Sequence, residues 1–286
     1  MFNKKYLVAT GCSFTDGHLL QEAGYWATYF ANRNNLECIN LGVGGAGNEF
    51  LTSNLIQYAT INKDIAENAI FGIQLSECLR TLVCLDFPDV NGFPKYWHIT
   101  PAQFIRENGF GGWDLSSYHT KFIYDNKFAL APFYMNVTNS VLISINAIIS
   151  LVDFFNKNNY PFFIFDGITK VIPEKVNDKW QLINPNQNND CWDVDVAEEQ
   201  PSNWIFYKKE AKPIIHKNII NYINSIPNYI SKDKTLKFYL ENLGQEKYKN
   251  PNFFFEGNQG HPNSDGCKEW VEYIQHNIEK LFGVYE

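Results

Sequence analysis

Four short apolar runs constrain this chain more than any other feature of its sequence. Tyr6-Leu7-Val8-Ala9-Thr10, Cys38-Ile39-Asn40-Leu41, the seven residues from Ala69 to Leu75 and the stretch from Tyr160 to Phe165 are too short for helices and read as buried strands. Helix-length segments separate them. One carries Tyr25, Trp26, Tyr29 and Phe30, and a second covers residues 48 to 60. A third covers residues 139 to 156, with apolar helical spacing and Asn139 as N-cap. Gly266 to Leu281 reads as a last helix with Trp270, Val271, Ile274, Ile278 and Leu281 facing inward. Strands alternating with helices predict a mostly parallel sheet with helices on both faces.

Two segments break that rhythm. Residues 87 to 135 hold Trp97, Trp113 and many other aromatics with little periodicity, and residues 173 to 203 gather Asp190, Asp193, Asp195, Glu198 and Glu199. The acidic segment lacks the spacing and central glycine of a calcium loop, so it reads as a solvated insertion. No internal repeat or Gly/Ser linker divides the chain, which predicts one domain over residues 1–286 with insertions near 87–135 and 173–203.

Composition excludes several classes. The chain has 286 residues, 24 Lys+Arg and 31 Asp+Glu, for a formal net charge of −7. Three of the cations are arginines, and no basic cluster suited to a phosphate backbone exists, so nucleic acid is disfavoured as a partner. No stretch of about 18 uninterrupted apolar residues marks a membrane span. The start, MFNKKYLVAT, runs straight into a glycine turn without a cleavage site, which predicts no signal peptide. The expected location is cytoplasmic or virion-associated, with no membrane partner. Cysteines 12, 38, 78, 84, 191 and 267 form no CxxC pair, so free thiols are expected and neither a zinc site nor another metal is.

Three loops carry candidate chemistry. Gly11-Cys12-Ser13-Phe14-Thr15-Asp16-Gly17 follows the first strand, and a serine there projects from the carboxyl end of the sheet, where ligands bind in open α/β folds. It is either a nucleophile or a turn residue, depending on whether a base reaches it. Asn40-Leu41-Gly42-Val43-Gly44-Gly45-Ala46-Gly47-Asn48 places four glycines in six positions, so backbone N–H groups can approach a ligand closely. His261, held between Gly260 and Pro262 just before the last helix, differs in setting from His18, His98, His119, His216 and His276, and is the candidate base.

In order and spacing these blocks resemble the SGNH hydrolases, the GDSL-like esterases and lipases, particularly the divergent forms common in phage and environmental sequences. The resemblance runs from residue 5 to about residue 281. It implies a three-layer α/β/α sandwich around a sheet of about five strands, wound as in flavodoxin. It also implies Ser13 as nucleophile, His261 as base, and the N–H groups of Ser13 and Gly45 as oxyanion donors. Two positions depart from the pattern. Cys78 stands where the third block has an oxyanion asparagine, so Asn48, Gln74 or Ser76 is left to substitute. Asn258 stands where the last block has an aspartate, which leaves Asn258 or Glu256 to orient the imidazole.

The expected activity is hydrolysis of an O-acyl ester, foremost an acetyl group on a carbohydrate, without any cofactor. Two alternatives stay open. One is a degenerate domain that binds a glycan through aromatics such as Tyr96, Trp97, Trp113 and Tyr118. The other is an O-acyltransferase on the same scaffold. A Ser13–His261 distance near 3 Å favours an enzyme and one well over 5 Å a binding module.

Overall fold

Each expected strand finds a place in one parallel sheet. A computed structural model describes residues 3–17, 25–88, 94–99, 137–183, 191–198, 215–230, 234–246, 253–254 and 261–283. Its strands are β1 (Tyr6–Thr10), β2 (Glu37–Asn40), β3 (Ala69–Leu75), β4 (Thr81–Pro88), β5 (Pro94–Ile99) and β6 (Phe162–Asp166). They are followed by β7 (Glu174–Val176), β8 (Lys179–Ile183), β9 (Cys191–Asp193), β10 (Val196–Ala197) and β11 (Ile215–His216). The helices are α1 (Ser13–Asp16), α2 (Trp26–Arg33), α3 (Asn48–Ile61) and α4 (Lys63–Glu67), then α5 (Val137–Asn158), α6 (Lys217–Ser225), α7 (Leu236–Glu246) and α8 (Ser264–Phe282).

The central sheet has the order β2-β1-β3-β6, parallel throughout. In its middle Val8 pairs with Ile39 on one side and Phe71 on the other, and Ile73 pairs with Ile164. About five strands were expected, and four form the sheet among the described residues. Beyond β6 a single parallel bridge joins Ile164 to Tyr229, with Ile164 N–H donating to Asn228 O and Ile230 N–H to Ile164 O. The fifth position is therefore one bridge long.

The two-residue period of the strands splits the core in two. Val8, Phe71, Ile73, Leu75, Phe162 and Ile164 pack with Leu55 of α3, with Val141, Ile145, Ile148 and Phe155 of α5, and with Ile220 of α6. Leu7, Ala9, Ile70, Phe163 and Phe165 turn the other way, onto Trp26 and Phe30 of α2, Leu240 of α7, and Trp270, Val271, Ile274 and Ile278 of α8. Helices thus cover both faces, and β3, at the centre, is buried at all seven positions.

Several expectations are corrected. α5 starts at Val137, so Asn139 lies in its first turn and is not its cap. This helix has the length and the mean hydropathy, 1.6, of a membrane span, but polar side chains such as Ser140, Ser144 and Asn146 interrupt it, so it is not the uninterrupted apolar stretch that would mark one. Its apolar stripe is nevertheless part of the protein core. Leu281 is only half-buried at the end of α8. His216 ends β11 and caps α6, its Nδ1 accepting from Asn218 N–H at 3.1 Å.

The breaks in rhythm become small antiparallel sheets. β4 and β5 form a hairpin, while Trp113 and Tyr118, and the side chains of Tyr96 and Trp97, lie outside the described residues. β7, β8 and β9 form a three-stranded meander through the acidic segment. There Asp193 accepts from Gln181 at 2.9 Å and pairs with Lys179 at 3.6 Å, while Glu198 pairs with Lys217 at 2.6 Å and Lys175 at 3.7 Å. These carboxylates face lysines and solvent, and Asp190 and Glu199 lie outside the described residues. Among the described residues no group of three or more His, Cys, Asp or Glu side chains is placed to hold a metal ion. Cys12, Cys38, Cys78 and Cys267 are free; the side chains of Cys84 and Cys191 lie outside the described residues.

Candidate active site

The first strand ends in a turn that other parts of the chain clamp from below. Gly11 allows the clamp, because a Cβ there would stand 2.5 Å from Gln74 Oε1 and 2.8 Å from Thr15 Cβ. Gln74 lies near the end of β3 and is fully buried. Its Oε1 accepts from Cys12 N–H at 3.1 Å and from Thr15 Oγ1–H at 2.9 Å, while its Nε2 donates to Leu75 O at 2.6 Å. Trp26 Nε1–H donates to Thr15 Oγ1 at 2.9 Å. Within the turn, Thr15 N–H and Asp16 N–H both donate to Cys12 O. Cys12, Phe14 and Thr15 are buried, and Ser13 between them is partly exposed. The turn holds its neighbours down and presents the serine.

The glycine loop after β2 is laced to the same turn. Asn40 Nδ2 donates to Thr15 O at 2.7 Å, and Asn40 Oδ1 accepts from Gly42 N–H at 2.9 Å. Val43 N–H donates to Gly11 O at 2.9 Å and Gly44 N–H to Asp16 Oδ2 at 3.1 Å. Gly45 follows at φ +78°, a left-handed conformation costly to any residue with a Cβ. The backbone of this loop is thereby fixed relative to Ser13.

His261 arrives from the far end of the chain. Phe254 bridges Pro262 in antiparallel fashion, Asn263 N–H donates to Phe253 O at 2.8 Å, and Asn263 Oδ1 caps α8 by accepting from Gly266 N–H at 2.9 Å. This anchorage fixes the entry to α8 and with it the histidine. The imidazole meets the edge of Phe14 at a centroid distance of 5.2 Å and an angle of 68°. His261 Nε2 lies 2.8 Å from Ser13 Oγ. That is hydrogen-bond length, and the geometry a serine needs to pass its proton to a base. Asn258 and Glu256, the residues expected to orient the ring, lie outside the described residues.

The residues after β3 sort themselves clearly. Asn48 is fully buried and holds the backbone of Ser76, accepting from its N–H at 2.7 Å and donating to its O at 3.1 Å; the same amide nitrogen donates to Ser144 Oγ at 3.2 Å. Both its amide hydrogens are taken within the protein, so Asn48 is a strut between loop and helix. Cys78 sits in the core with Leu75, Leu79 and Val141. Burial pushes its thiol well above the ordinary range, with Glu77 adding to the rise, so it is a neutral core side chain and a weak donor. Gln74 is the anchor of the nucleophile turn, and Ser76 is buried at 0% exposure. Asn48 and Gln74 are thus engaged in holding the backbone, and the Ser76 hydroxyl is buried without a hydrogen-bond partner, so none of the three substitutes is an exposed donor.

Reasoning from sequence missed the role of Gln74. The signal was there: a glutamine in the sixth position of an otherwise apolar, fully buried strand must find hydrogen bonds, and the turn of the neighbouring strand is the nearest place. A second buried polar group was also passed over. Asp166, at the end of β6, accepts from Tyr229 Oη–H at 2.5 Å. Burial pushes its carboxyl up to about 7, against the downward pull of Tyr229 and of Val171 N–H.

No protein-family model matches this sequence, and no curated protein sequence does.

Proposed function

We propose that the chain is an SGNH-type serine ester hydrolase, acting on an O-acyl group of a small or carbohydrate substrate. The observation that carries this reading is the 2.8 Å contact between Ser13 Oγ and His261 Nε2. It falls at the enzyme end of the distance scale that separates a catalytic pair from a degenerate binding domain. The sheet order supports the same reading: with the Tyr229 bridge as fifth member it follows the 2-1-3-4-5 winding of flavodoxin-like sheets. Helices on both faces of a parallel sheet support the three-layer α/β/α arrangement that the resemblance to SGNH hydrolases implies. A small acyl ester suits an acidic chain better than nucleic acid or an anionic membrane surface.

In the reaction, His261 takes the Ser13 proton as Oγ attacks the acyl carbonyl. The carbonyl oxygen gains negative charge, and the N–H groups of Ser13 and Gly45 are the donors assigned to it. The tetrahedral adduct collapses as His261 returns the proton to the leaving alkoxide, giving an acyl-Ser13 ester and a free alcohol. Water, deprotonated by His261, then attacks the acyl group and restores the serine. Every step uses groups of this chain and water. The decisive test is a fluorophosphonate probe, expected to label the wild type at Ser13, alongside turnover of p-nitrophenyl acetate. Absence of both labelling and turnover in folded protein would overturn the reading.

A further inference from the structure

We propose that Arg80 is an anion-recognition residue at the rim of this site, so that the ester cleaved there carries a carboxylate; the inference rests on the serine-esterase reading. Only three arginines occur in the chain. This one lies five residues past β3, and Ser13 lies three residues past β1. The two strands are parallel neighbours in register from Tyr6↔Ala69 to Thr10↔Ile73, so both residues emerge at the same edge of the sheet. The backbone of Arg80 also touches the glycine loop. A Cβ on Gly47 would overlap the Arg80 carbonyl oxygen, and Gly47 is two residues past Gly45.

The side chain is ion-paired but short of hydrogen bonds for its burial. It is 14% exposed and pairs with Glu77, whose Oε2 stands 3.6 Å from Nε. That separation is beyond hydrogen-bond length, and Nε and Nη1 are buried without a hydrogen-bond partner. A guanidinium carries five N–H donors in a planar fork and no acceptor. Leaving such donors desolvated and unmet costs stability, and native proteins rarely keep them so without a functional reason. A carboxylate is the group the fork fits, through two parallel charge-assisted bonds. A singly charged carboxylate also suits this chain better than a phosphate: the net charge of −7 repels a dianion more strongly, and Glu77 already shares the charge of the one cation.

The test compares p-nitrophenyl acetate with mono-p-nitrophenyl succinate, whose acyl group is longer by one methylene and ends in a free carboxylate. Wild type is expected to favour the succinate ester in kcat/KM by about tenfold or more. The succinate-to-acetate ratio is expected to collapse toward one in Arg80→Met. In Arg80→Lys, which keeps a charge at similar volume if Arg80→Met fails to fold, the ratio should fall by about two- to fivefold. In parallel, monomethyl succinate is titrated calorimetrically into Ser13→Ala protein with and without Arg80→Met. Binding weakened about tenfold by the arginine change supports the site even if no ester is hydrolysed, in which case the esterase reading fails alone. Hydrolysis of the acetate ester with an unaltered ratio in both arginine variants, or succinate binding indifferent to Arg80, would overturn the anion site and leave the esterase reading standing.

Discussion

Ser13 and His261 stand 248 positions apart in the chain and 2.8 Å apart in space. The contact depends on two anchorages built from different materials. Ser13 is held by hydrogen bonds reaching its turn from β3 and from the loop after β2. His261 is held by the docking of α8, whose Trp270, Val271, Ile274 and Ile278 join Trp26 and Phe30 of α2 in one apolar cluster. α2 begins ten residues beyond the end of α1, so the helix that receives α8 is joined to the turn that presents the serine.

If these two groups work as one unit, their losses do not add. Ser13→Ala and His261→Ala are each expected to lower kcat for p-nitrophenyl acetate by at least about 10³-fold, and the double variant is expected to be no worse than the poorer single. Steady-state kinetics on all three variants checks this; additive losses would mean the pair does not share a proton.

Gln74→Leu removes the acceptor of Cys12 N–H and Thr15 Oγ1–H while leaving Ser13 and His261 in place. A buried donor left unmet costs about 1–3 kcal/mol, so the urea midpoint falls by a corresponding amount. The turn loosens where the nucleophile is presented, so kcat drops more than KM rises. Gln74→Glu keeps that acceptor but sets an oxygen against Leu75 O where Nε2 now donates, so it is expected to restore neither stability nor kcat.

Gly45 adopts φ +78°, and a Cβ in that region costs about 1–2 kcal/mol. Gly45→Ala therefore lowers stability by about that amount if the loop keeps its shape. If the loop relaxes instead, stability is nearly unchanged and kcat falls by about tenfold or more, because an oxyanion donor has moved. Chemical denaturation and kinetics on the one variant separate the two outcomes, and a variant unchanged in both respects removes Gly45 from the mechanism.

Asp166 makes stability depend on pH in a defined direction. Its carboxyl titrates near 7 when folded, against 3.8 ordinarily, so the folded state binds the extra proton between those values. The stabilisation is complete below about pH 4 and is lost as pH rises to about 7, a change on the order of 4 kcal/mol. Asp166→Asn keeps an oxygen to accept from Tyr229 and flattens that slope. Unfolding free energies at pH 5 and pH 8 for both proteins test the sign; a wild type that gains stability over this interval relative to the variant contradicts it.

The thiols give a simpler check. Burial pushes Cys38 up to about 11 and Cys267 up to about 12, and Cys78 well above its ordinary value. At pH 8 these three are expected to resist iodoacetamide in the folded protein and to react once it is unfolded in urea. Mass spectrometry of the alkylated protein reads this directly.

Elements whose signal was local were legible in the sequence. β1 and β3 occupy the residues that their apolar runs mark, and α8 buries Trp270, Val271, Ile274 and Ile278 as its spacing requires. Buried parallel strands must be apolar at successive positions, and amphipathic helices must repeat about every 3.6 residues. The three site loops were legible for a related reason, since each follows a strand or precedes a helix whose ends could be read. The start of α5 was not legible, because Asn139 is a good cap in isolation and nothing local says that the helix has already begun at Val137.

Nor could the sequence separate Asn48, Gln74, Ser76 and Cys78, four residues with distinct chemistry clustered around the end of one strand. Their assignment follows from what each faces: a serine backbone, a nucleophile turn, or the apolar underside of α5. Local order along the chain determined which segments are strands and helices and which residues of the turns can react. Which of those residues meet, and which are absorbed in holding the turns still, was decided by tertiary structure, because hydrogen bonds and close packing act over a few ångströms between groups that the chain itself sets tens to hundreds of residues apart.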